Sequence, residues 1–595
     1  MGETGINKIV ENIVKGWRWL KSEIGRGSWV AGLVIVVVGV LVYSNTLNAS
    51  WHFDDYDNIV NNPYVHDWKW FRDSLNWKTG RMVGNVTFLL NYQTDGDKVL
   101  GYHLVNITIH LLAGLVVWRL VGEIGRINKT KRKWGVKKLE IGNRKGKLER
   151  GRTDDDMAVG ANWVGLVAGL LFVVHPVQTQ AVTYIVQRYA SLAGLFYVLA
   201  VWAYVKVRLA KTRRRVWGWG VVVVGAGGLG LLTKETVATL PLMLLVVEGY
   251  WFSRSVRDWL AKALILAGVG LVGAVIIVQQ VGLGYILYDT KETGLKETVT
   301  WGSYVLTQFR VLLKYIQLMV VPVRQNLDYT FPLSYGWDGG VVLGLVVLVG
   351  LVGLTWWWYR RWKLGSFAIG WFLVGLMVTS LIPIQDVIFD HRLYISVAGW
   401  AVLMAGWLYQ KWGKDKEVLV VMVVMVVGVY GVWGYARNRV WATELSLWQD
   451  VVSKSPNKAR AVNQYAVQLQ QAGRIGEAVE NYRKVMELEP TNADVHYNMG
   501  QALVALGRGD EAIGEFTKAV EINPKITRAY NYIGLVLADK GKYKEALENI
   551  DKAIAGEPEV SKLYRSRGMV LVALGRKSEA EKAFAMAESI DETRP

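Results

Sequence analysis

Two adjacent carboxylates, Asp54 and Asp55, follow the first long apolar run of this sequence. They lie in the stretch WHFDDYDNIVNNPYVHDW (residues 51–68), where a membrane-spanning helix would end. A carboxylate at such an edge could act as the general base that deprotonates an acceptor hydroxyl. A helix N-cap or a solvated loop is the alternative explanation of the pair. The sequence leaves open which of the two acids would be the base.

The elements that must position these acids are apolar helices. Hydrophobic residues make up 52% of the 595-residue chain and charged residues 20%, but the distribution is uneven. Residues 29–435 hold long Val, Leu, Gly and Trp runs, whereas the C-terminal part has the composition of a soluble helical protein. We therefore predict an all-α protein with a polytopic membrane domain over 1–439 and a second helical domain over 440–595. The chain has no cysteine, which excludes disulfides and thiolate chemistry.

A helix that crosses a bilayer needs about 20 mostly apolar residues. Eleven runs meet this requirement: 29–47, 99–122, 158–177, 189–207, 216–233, 237–252, 263–283, 339–358, 365–384, 394–410 and 417–435. The net charge of +19 comes largely from short basic loops between these runs, above all residues 125–152. The positive-inside rule then predicts a cytoplasmic N-terminus and places the C-terminal domain on the opposite, outer face. Residues 300–322 are apolar but carry several polar side chains, so we predict a helix at the outer interface there.

The C-terminal domain shows an internal period. Pro456, Pro490, Pro524 and Pro558 are each 34 residues apart, and small and aromatic residues recur between them in the pattern of tetratricopeptide repeats. About four such helix pairs would form a short superhelix with a concave face suited to an extended peptide. A purely structural cap is the alternative.

Several motifs occur together in one order along the chain. They are FDDYDNIVNNP, GYHLVNITIHLLAGLV (101–116), HPVQTQAVTYIVQRYASLAGLF (175–196), TKETVATLPLMLL (233–245), DYTFP (328–332) and DHRLYIS (390–396). In this order they resemble the GT-C membrane glycosyltransferases that carry C-terminal tetratricopeptide repeats, a group that includes the transmembrane, repeat-containing O-mannosyltransferases. The resemblance covers nearly the whole chain.

The resemblance implies an inverting transferase that uses a polyprenyl-phosphate-linked sugar as donor at the outer membrane face. It also implies that the acid of the first outer loop (residues 48–98), here Asp54 or Asp55, is the catalytic base. The family often has Tyr-Arg-Pro-Leu where this chain has Gly-Arg-Met-Val, so the substrate-binding role of Arg81 is in doubt. Asp390 stands where glutamate is more usual and preserves the charge.

The remaining polar residues of the motifs fit a donor site. His103, Asn106 and His110 share one helix face and are expected to point inward, although interhelical hydrogen bonds would explain them equally well. His175 is expected to shape the pocket, with a helix-capping role as the alternative.

Cationic residues at the outer turns could bind the donor phosphate. Arg188 offers a bidentate guanidinium, and Lys234 offers a point charge beside Glu235. Arg392 is a second guanidinium, flanked by His391 and Tyr394. Interfacial anchoring of the arginines and a solvated turn at Lys234 are the alternatives.

The sequence thus predicts a membrane glycosyltransferase that moves a sugar to a hydroxyl of Ser or Thr in an exported protein held by the repeats. Its donor would be a lipid-linked sugar, and a prokaryotic plasma membrane is the expected location. A divalent metal is compatible with the acids and histidines but is not predicted, and no nucleic-acid partner is expected. A non-enzymatic scaffold that recruits envelope partners is the alternative function. A transporter would place its polar groups at the bilayer midplane rather than at one edge.

Overall fold

The computed structural model describes residues 22–23, 29–73, 81–134, 154–281, 299–383 and 386–593. Within these ranges the chain is helical and contains no strand, which confirms the predicted fold class. Most of the basic loop 125–152 and the basic segment before Trp29 lie outside the described residues. The chain divides into two compact units, one of residues 1–327 and 331–443, the other of residues 328–330 and 444–595.

The first unit is a bundle of long apolar helices. Its main helices are Trp29–Tyr43, Met82–Asp95, Val99–Trp134, Asp154–Val174, Arg188–Leu209, Arg213–Leu231, Leu240–Val247, Val256–Val281, Trp301–Val320, Gly339–Arg361, Lys363–Leu381, Tyr394–Trp412 and Lys416–Val440. Small residues let these helices approach closely. A Cβ atom on Gly165 would lie 2.7 Å from the Trp118 carbonyl oxygen of the neighbouring helix, the packing that membrane helices use in place of a hydrophobic driving force.

Eight helical segments of the described residues are long and apolar enough to cross a membrane, and a bent ninth pairs 159–174 with 176–182. The predicted number of eleven is therefore not confirmed. The two predicted spans outside this set, 216–233 and 263–283, correspond to the helices Arg213–Leu231 and Val256–Val281, and the last two residues of the latter span lie outside the described part. The helix Trp301–Val320, predicted to lie at the interface, is likewise not among the eight.

The second unit consists of a leading helix, Glu444–Lys454, and four helix pairs. The pairs are Ala459–Gln471 with Ile475–Leu488, Ala493–Ala505 with Gly509–Ile522, Arg528–Asp539 with Tyr543–Gly556, and Ser561–Ala573 with Lys577–Thr593. Each pair is joined by a turn whose glycine has a positive φ between 72° and 76°, at Gly473, Gly507, Gly541 and Gly575. A left-handed residue ends a helix with little strain only when it lacks a Cβ. The 34-residue period therefore recurs in the turns as well as in the closing prolines.

Candidate active site

The loops and turns that carry the predicted acids and cations lie together in the membrane bundle. Three bonds between distant segments show this. Asp55 Oδ1 accepts the Val186 backbone N–H at 2.7 Å, the Val83 N–H donates to the Leu232 carbonyl at 3.1 Å, and the His391 N–H donates to Gln180 Oε1 at 2.7 Å. The first outer loop, the turn before Arg188, the turn at Lys234 and the turn at Asp390 are thus neighbours.

Asp55 is fully buried and is used to hold the backbone together. Besides the bond from Val186, its Oδ2 accepts the His52 backbone N–H at 2.9 Å. Backbone amides that donate to a carboxylate form charge-assisted bonds, among the stronger ones in proteins. Asp55 therefore fixes the first outer loop against the turn 185–187.

Asp54 is only partly buried. Two features of its surroundings are unusual. The preceding residue, Phe53, has a φ of 38°, a conformation that is strained for a bulky side chain and that clusters at functional sites. The Asp54 N–H donates to the Tyr184 hydroxyl at 2.8 Å, and that hydroxyl also hydrogen-bonds the Asp54 side chain. Burial, followed by the two aspartates, raises the pKa of Tyr184 well above its usual value, so the phenol stays neutral.

Lys234 is the most informative cation of the site. The residue is 8% exposed, and among the described residues its ammonium makes no hydrogen bond or salt bridge. Burial lowers the pKa of Lys234 to about 8; Glu235 opposes this change, whereas the guanidinium groups of Arg81 and Arg392 add to it. A buried cation surrounded by further cations is a place where an anion would be stabilised.

Arg81 and His391 lie beside this lysine. Arg81 is exposed, precedes the helix Met82–Asp95 with a φ of 77°, and stacks on the Tyr189 ring at 5.0 Å. The His391 ring stacks on Phe389 at a centroid distance of 5.0 Å. Lys234, Arg81 and Arg392 are all within electrostatic range of His391. We call Lys234, Arg81 and Arg392 the cationic cluster.

Arg188 and Arg392, the two guanidinium groups predicted to bind the donor phosphate, are hydrogen-bonded to other residues of the protein. Arg188 is fully buried and donates to Asn106 Oδ1 at 2.6 Å and to the carbonyls of Thr87 and Tyr102 at 3.1 Å. Arg392 donates to the carbonyls of Val387 and Asp386 at 2.9 and 2.7 Å. Arg188 thus joins three segments of the bundle, and Arg392 also fixes the loop 386–392.

The predicted histidine face also joins helices. His103, Asn106 and His110 are all fully buried. His103 Nε2 bonds the Ala49 carbonyl at 3.0 Å, the Asn106 amide bonds the Val182 and Ile185 carbonyls, and His110 bonds both the Val173 carbonyl and the Tyr394 hydroxyl. These contacts agree with the alternative of interhelical hydrogen bonds rather than with a donor pocket.

The other residues predicted to line the site differ in how deeply they are buried. His175 is fully buried, caps the turn Pro176–Gln178 and bonds the Met319 carbonyl at 3.0 Å, as expected for a structural histidine. Tyr394 is buried against His110. Asp390 is 1% exposed at the start of its turn, whereas Glu235 is only partly buried beside Lys234. The described residues contain no group of three or more histidines and acids arranged to hold a metal.

An apolar cavity that the sequence did not reveal lies beside the turn 386–392. Its volume is about 370 Å³, and six of its lining residues are Phe309, Leu312, Leu348, Leu373, Met377 and Leu381. Two polar residues of its wall, Gln308 and Tyr315, hydrogen-bond the Val387 and Phe389 carbonyls. The cavity thus shares a wall with the loop that carries His391 and Arg392. The strong amphipathic pattern of residues 301–320 is the signal that could have suggested a lined groove.

The fold and this site define a class: an all-helical membrane protein whose bundle gathers acids and cations at one end and is followed by a tetratricopeptide-repeat domain. Family models described as "TPR repeat" and "Tetratricopeptide repeat" match residues 469–507, 493–526 and 533–595. The relatives of the chain are protein O-mannosyl-transferases, which confirms the resemblance predicted from the motifs.

Protein O-mannosyl-transferase F38B6.6 of Caenorhabditis elegans is 24% identical over 504 residues, which cover 79% of this chain and 64% of the worm protein. Human protein O-mannosyl-transferase TMTC3 is 22% identical over 523 residues, 79% of this chain and 52% of that protein. The mouse TMTC2 protein is 27% identical over 241 residues, 38% of this chain and 24% of that protein. The matches thus span less than two thirds of the length of these relatives. Among solved structures, that of MamA covers 25% of this chain and 81% of its own, with 26% identity and a TM-score of 0.23.

Proposed function

We propose that this protein transfers a sugar from a polyprenyl-phosphate carrier to a Ser or Thr hydroxyl of a polypeptide. The observation that carries the proposal is the ammonium of Lys234, which lies in a buried residue next to Arg81 and Arg392 and has no hydrogen-bond or salt-bridge partner in the described part of the chain. Such a group costs free energy in the protein alone and is stabilised by an anion. The names of the relatives, protein O-mannosyl-transferases, support mannose as the sugar.

In this proposal the cationic cluster binds the donor phosphate and stabilises its negative charge as the sugar leaves. The apolar cavity beside the turn 386–392 has walls suited to the isoprenoid part of the same donor, because apolar surface is favourable against a hydrocarbon chain. A lipid-linked phosphate would thus meet a cationic group and an apolar groove on neighbouring segments of the bundle.

Asp54 is the better candidate for the base. A general base must reach the proton of the acceptor hydroxyl, so it needs some exposure. Asp54 is partly exposed, whereas Asp55 is buried and already accepts two backbone N–H groups. We assign the proton abstraction to Asp54 and the positioning of its loop to Asp55. The acceptor oxygen then attacks the anomeric carbon from the side opposite the phosphate, as inversion requires.

The distribution of charge supports an outer location of this site. Basic residues lie in the last turn of helices, at the ends that point away from the site. Examples are Lys206 and Arg208 in the helix Arg188–Leu209, and Arg360 and Arg361 in the helix Gly339–Arg361. The positive-inside rule places such ends in the cytoplasm.

The test compares Asp54→Asn with Asp55→Asn in purified full-length protein. Asp54→Asn should lower kcat for mannose transfer from polyprenyl-phosphate mannose by about 10²-fold or more, without loss of thermal stability. Asp55→Asn should lower the melting temperature, since an amide NH₂ group cannot accept the backbone N–H groups that the carboxylate accepts. Full activity of Asp54→Asn would contradict the assignment of Asp54 as the general base. Absence of transfer by the wild-type protein from any polyprenyl-phosphate sugar would remove the proposal.

A further inference from the structure

The first turn of the helix Met82–Asp95 carries an amide that the sequence did not single out. Asn85 lies one turn after Arg81, and its backbone N–H donates to the Arg81 carbonyl at 3.0 Å. Its side-chain oxygen accepts the Tyr189 hydroxyl at 2.6 Å. Asn85 is therefore on the same helical turn as one member of the cationic cluster, and it is bonded to the next helix along the site.

The tyrosine that bonds this amide is held firmly in place. Tyr189 is 3% exposed, and its ring packs edge-on against Phe88 at a centroid distance of 5.4 Å. Its ring also lies against Gly84, where a Cβ atom would come within 2.3 Å of two ring carbons. A side chain packed on both sides keeps one rotamer, so the hydroxyl holds the Asn85 amide in one orientation.

The other half of the Asn85 amide is available to a ligand. An asparagine amide has an oxygen that accepts and an NH₂ group that donates. Because the oxygen accepts from Tyr189, the NH₂ group points away from that ring. This group makes no hydrogen bond within the part of the chain that the structure describes. Asn85 is only half-buried, and its nitrogen is reachable, in contrast to the enclosed, unpaired oxygen of Asn91 on the same helix.

The Tyr189–Asn85 pair adjoins both the cationic cluster and the loop of the predicted base. The Arg81 guanidinium lies 5.0 Å from the centre of the Tyr189 ring, and both Arg81 and Asp55 are within electrostatic range of Tyr189. The turn 185–187, which binds Asp55, immediately precedes the Tyr189 helix. In an inverting transfer the sugar lies between the acceptor oxygen and the leaving phosphate. A donor group that adjoins the base on one side and the phosphate cations on the other is thus placed to face the sugar.

We propose that the NH₂ group of Asn85 binds a hydroxyl of the donor sugar, and that Tyr189 positions this amide. The inference rests on the proposed function and extends it to the choice of sugar. A neutral amide suits a neutral hydroxyl, whereas the phosphate is served by the cations and the acceptor hydroxyl by a carboxylate. A donor that lacks the bound hydroxyl leaves the amide without a partner and is transferred less well.

The test uses the full-length protein, polyprenyl-phosphate mannose and a set of synthetic donors whose mannose lacks the hydroxyl at C2, C3, C4 or C6. Asn85→Ala should lower kcat/KM for the complete donor about tenfold, the usual effect of one lost neutral hydrogen bond. In the wild-type protein one of the deoxy donors should show the same loss. The variant should transfer that donor as well as the wild-type protein does, because the interaction is already absent.

Binding is measured separately from catalysis, as the Kd for the complete donor and for polyprenyl phosphate without sugar. Asn85→Ala should weaken binding of the complete donor about tenfold and leave the Kd for polyprenyl phosphate unchanged, which also shows that the variant is folded. Tyr189→Phe frees the amide and should produce the same donor-selective loss. A tyrosine with a purely structural role would instead weaken both ligands alike.

A matched control is another amide on the same helix. Gln93 is exposed and donates its NH₂ group to the His66 carbonyl at 2.7 Å. Gln93→Ala should leave kcat/KM for the complete donor, and the ratios between the deoxy donors, as they are in the wild-type protein.

The outcomes separate this inference from the proposed function. If the wild-type protein binds no polyprenyl phosphate and transfers no sugar, the proposed function fails. If it transfers mannose, but Asn85→Ala is unaffected or loses the same factor with every donor, the assignment of Asn85 to the sugar is overturned and the proposed function stands.

Discussion

Replacement of Lys234 by methionine tests the central electrostatic feature of the site. Methionine keeps most of the length of the side chain and removes the charge. The pKa of Lys234 lies at about 8 instead of 10.5 because of burial. Since each pKa unit corresponds to about 1.4 kcal/mol, the charged ammonium costs about 3 kcal/mol at neutral pH in the protein without donor.

The sign of the pH dependence follows from the lowered pKa. Below pH 8 the lysine is charged in both the folded and the unfolded protein, and the full cost opposes folding. Between pH 8 and 10.5 the unfolded state binds more protons, so the stability of the wild-type protein rises with pH relative to that of the variant. Lys234→Met should therefore raise the melting temperature at pH 7, and the difference should shrink toward pH 10.5.

The assay is the melting temperature of the purified protein in detergent, between pH 6.5 and 10.5, with and without a short-chain polyprenyl phosphate. The phosphate should stabilise the wild-type protein below pH 8, progressively less above it, and the variant hardly at all. The control is Lys206→Met, which removes a lysine 2.9 Å from Glu123 and should lower the melting temperature. A lower melting temperature for Lys234→Met at pH 7, or an unchanged response to the phosphate, would refute the reasoning.

Two further predictions concern single contacts. Tyr184→Phe removes the hydroxyl that bonds Asp54, and it should lower kcat for sugar transfer about tenfold with little change in KM; an unchanged kcat would show that Asp54 needs no such support. Gly534→Ala places a Cβ 2.6 Å from Ile550 and 2.9 Å from the Ala546 carbonyl, and it should destabilise the protein by about 1–3 kcal/mol in denaturant titrations. Gly514→Ala, in an exposed helical position with open space, should instead stabilise it by about 0.5–1 kcal/mol; equal effects of the two changes would contradict the packing argument.

The helical elements could be predicted because their signals are local. Apolar runs between basic loops indicate membrane helices, and the 34-residue period indicates repeats, without knowledge of any distant contact. The number of spans was not confirmed, since helices such as Arg213–Leu231 combine basic residues, tryptophans and many glycines. Residue type and position alone do not decide how such a helix lies.

The roles of individual site residues were harder to predict from the sequence. Arg188 and Lys234 are both cations at helix ends in the sequence, yet Arg188 is bonded to Asn106 and two carbonyls, whereas Lys234 has no such partner among the described residues. The two aspartates are likewise indistinguishable in sequence and differ in burial. Tyr184 was not singled out, because nothing local connects it with a residue 130 positions earlier.

By itself, then, the amino-acid sequence determined the helical class, the repeats, the resemblance to the repeat-containing O-mannosyltransferases and the set of polar residues at the helix ends. Only the tertiary structure decided which members of that set are hydrogen-bonded to other segments of the chain and which have no such partner among the described residues. The reason is physical: helix formation depends on periodicity within one segment, whereas the burial and pairing of a charge depend on backbone groups that reach it from segments a hundred or more residues away.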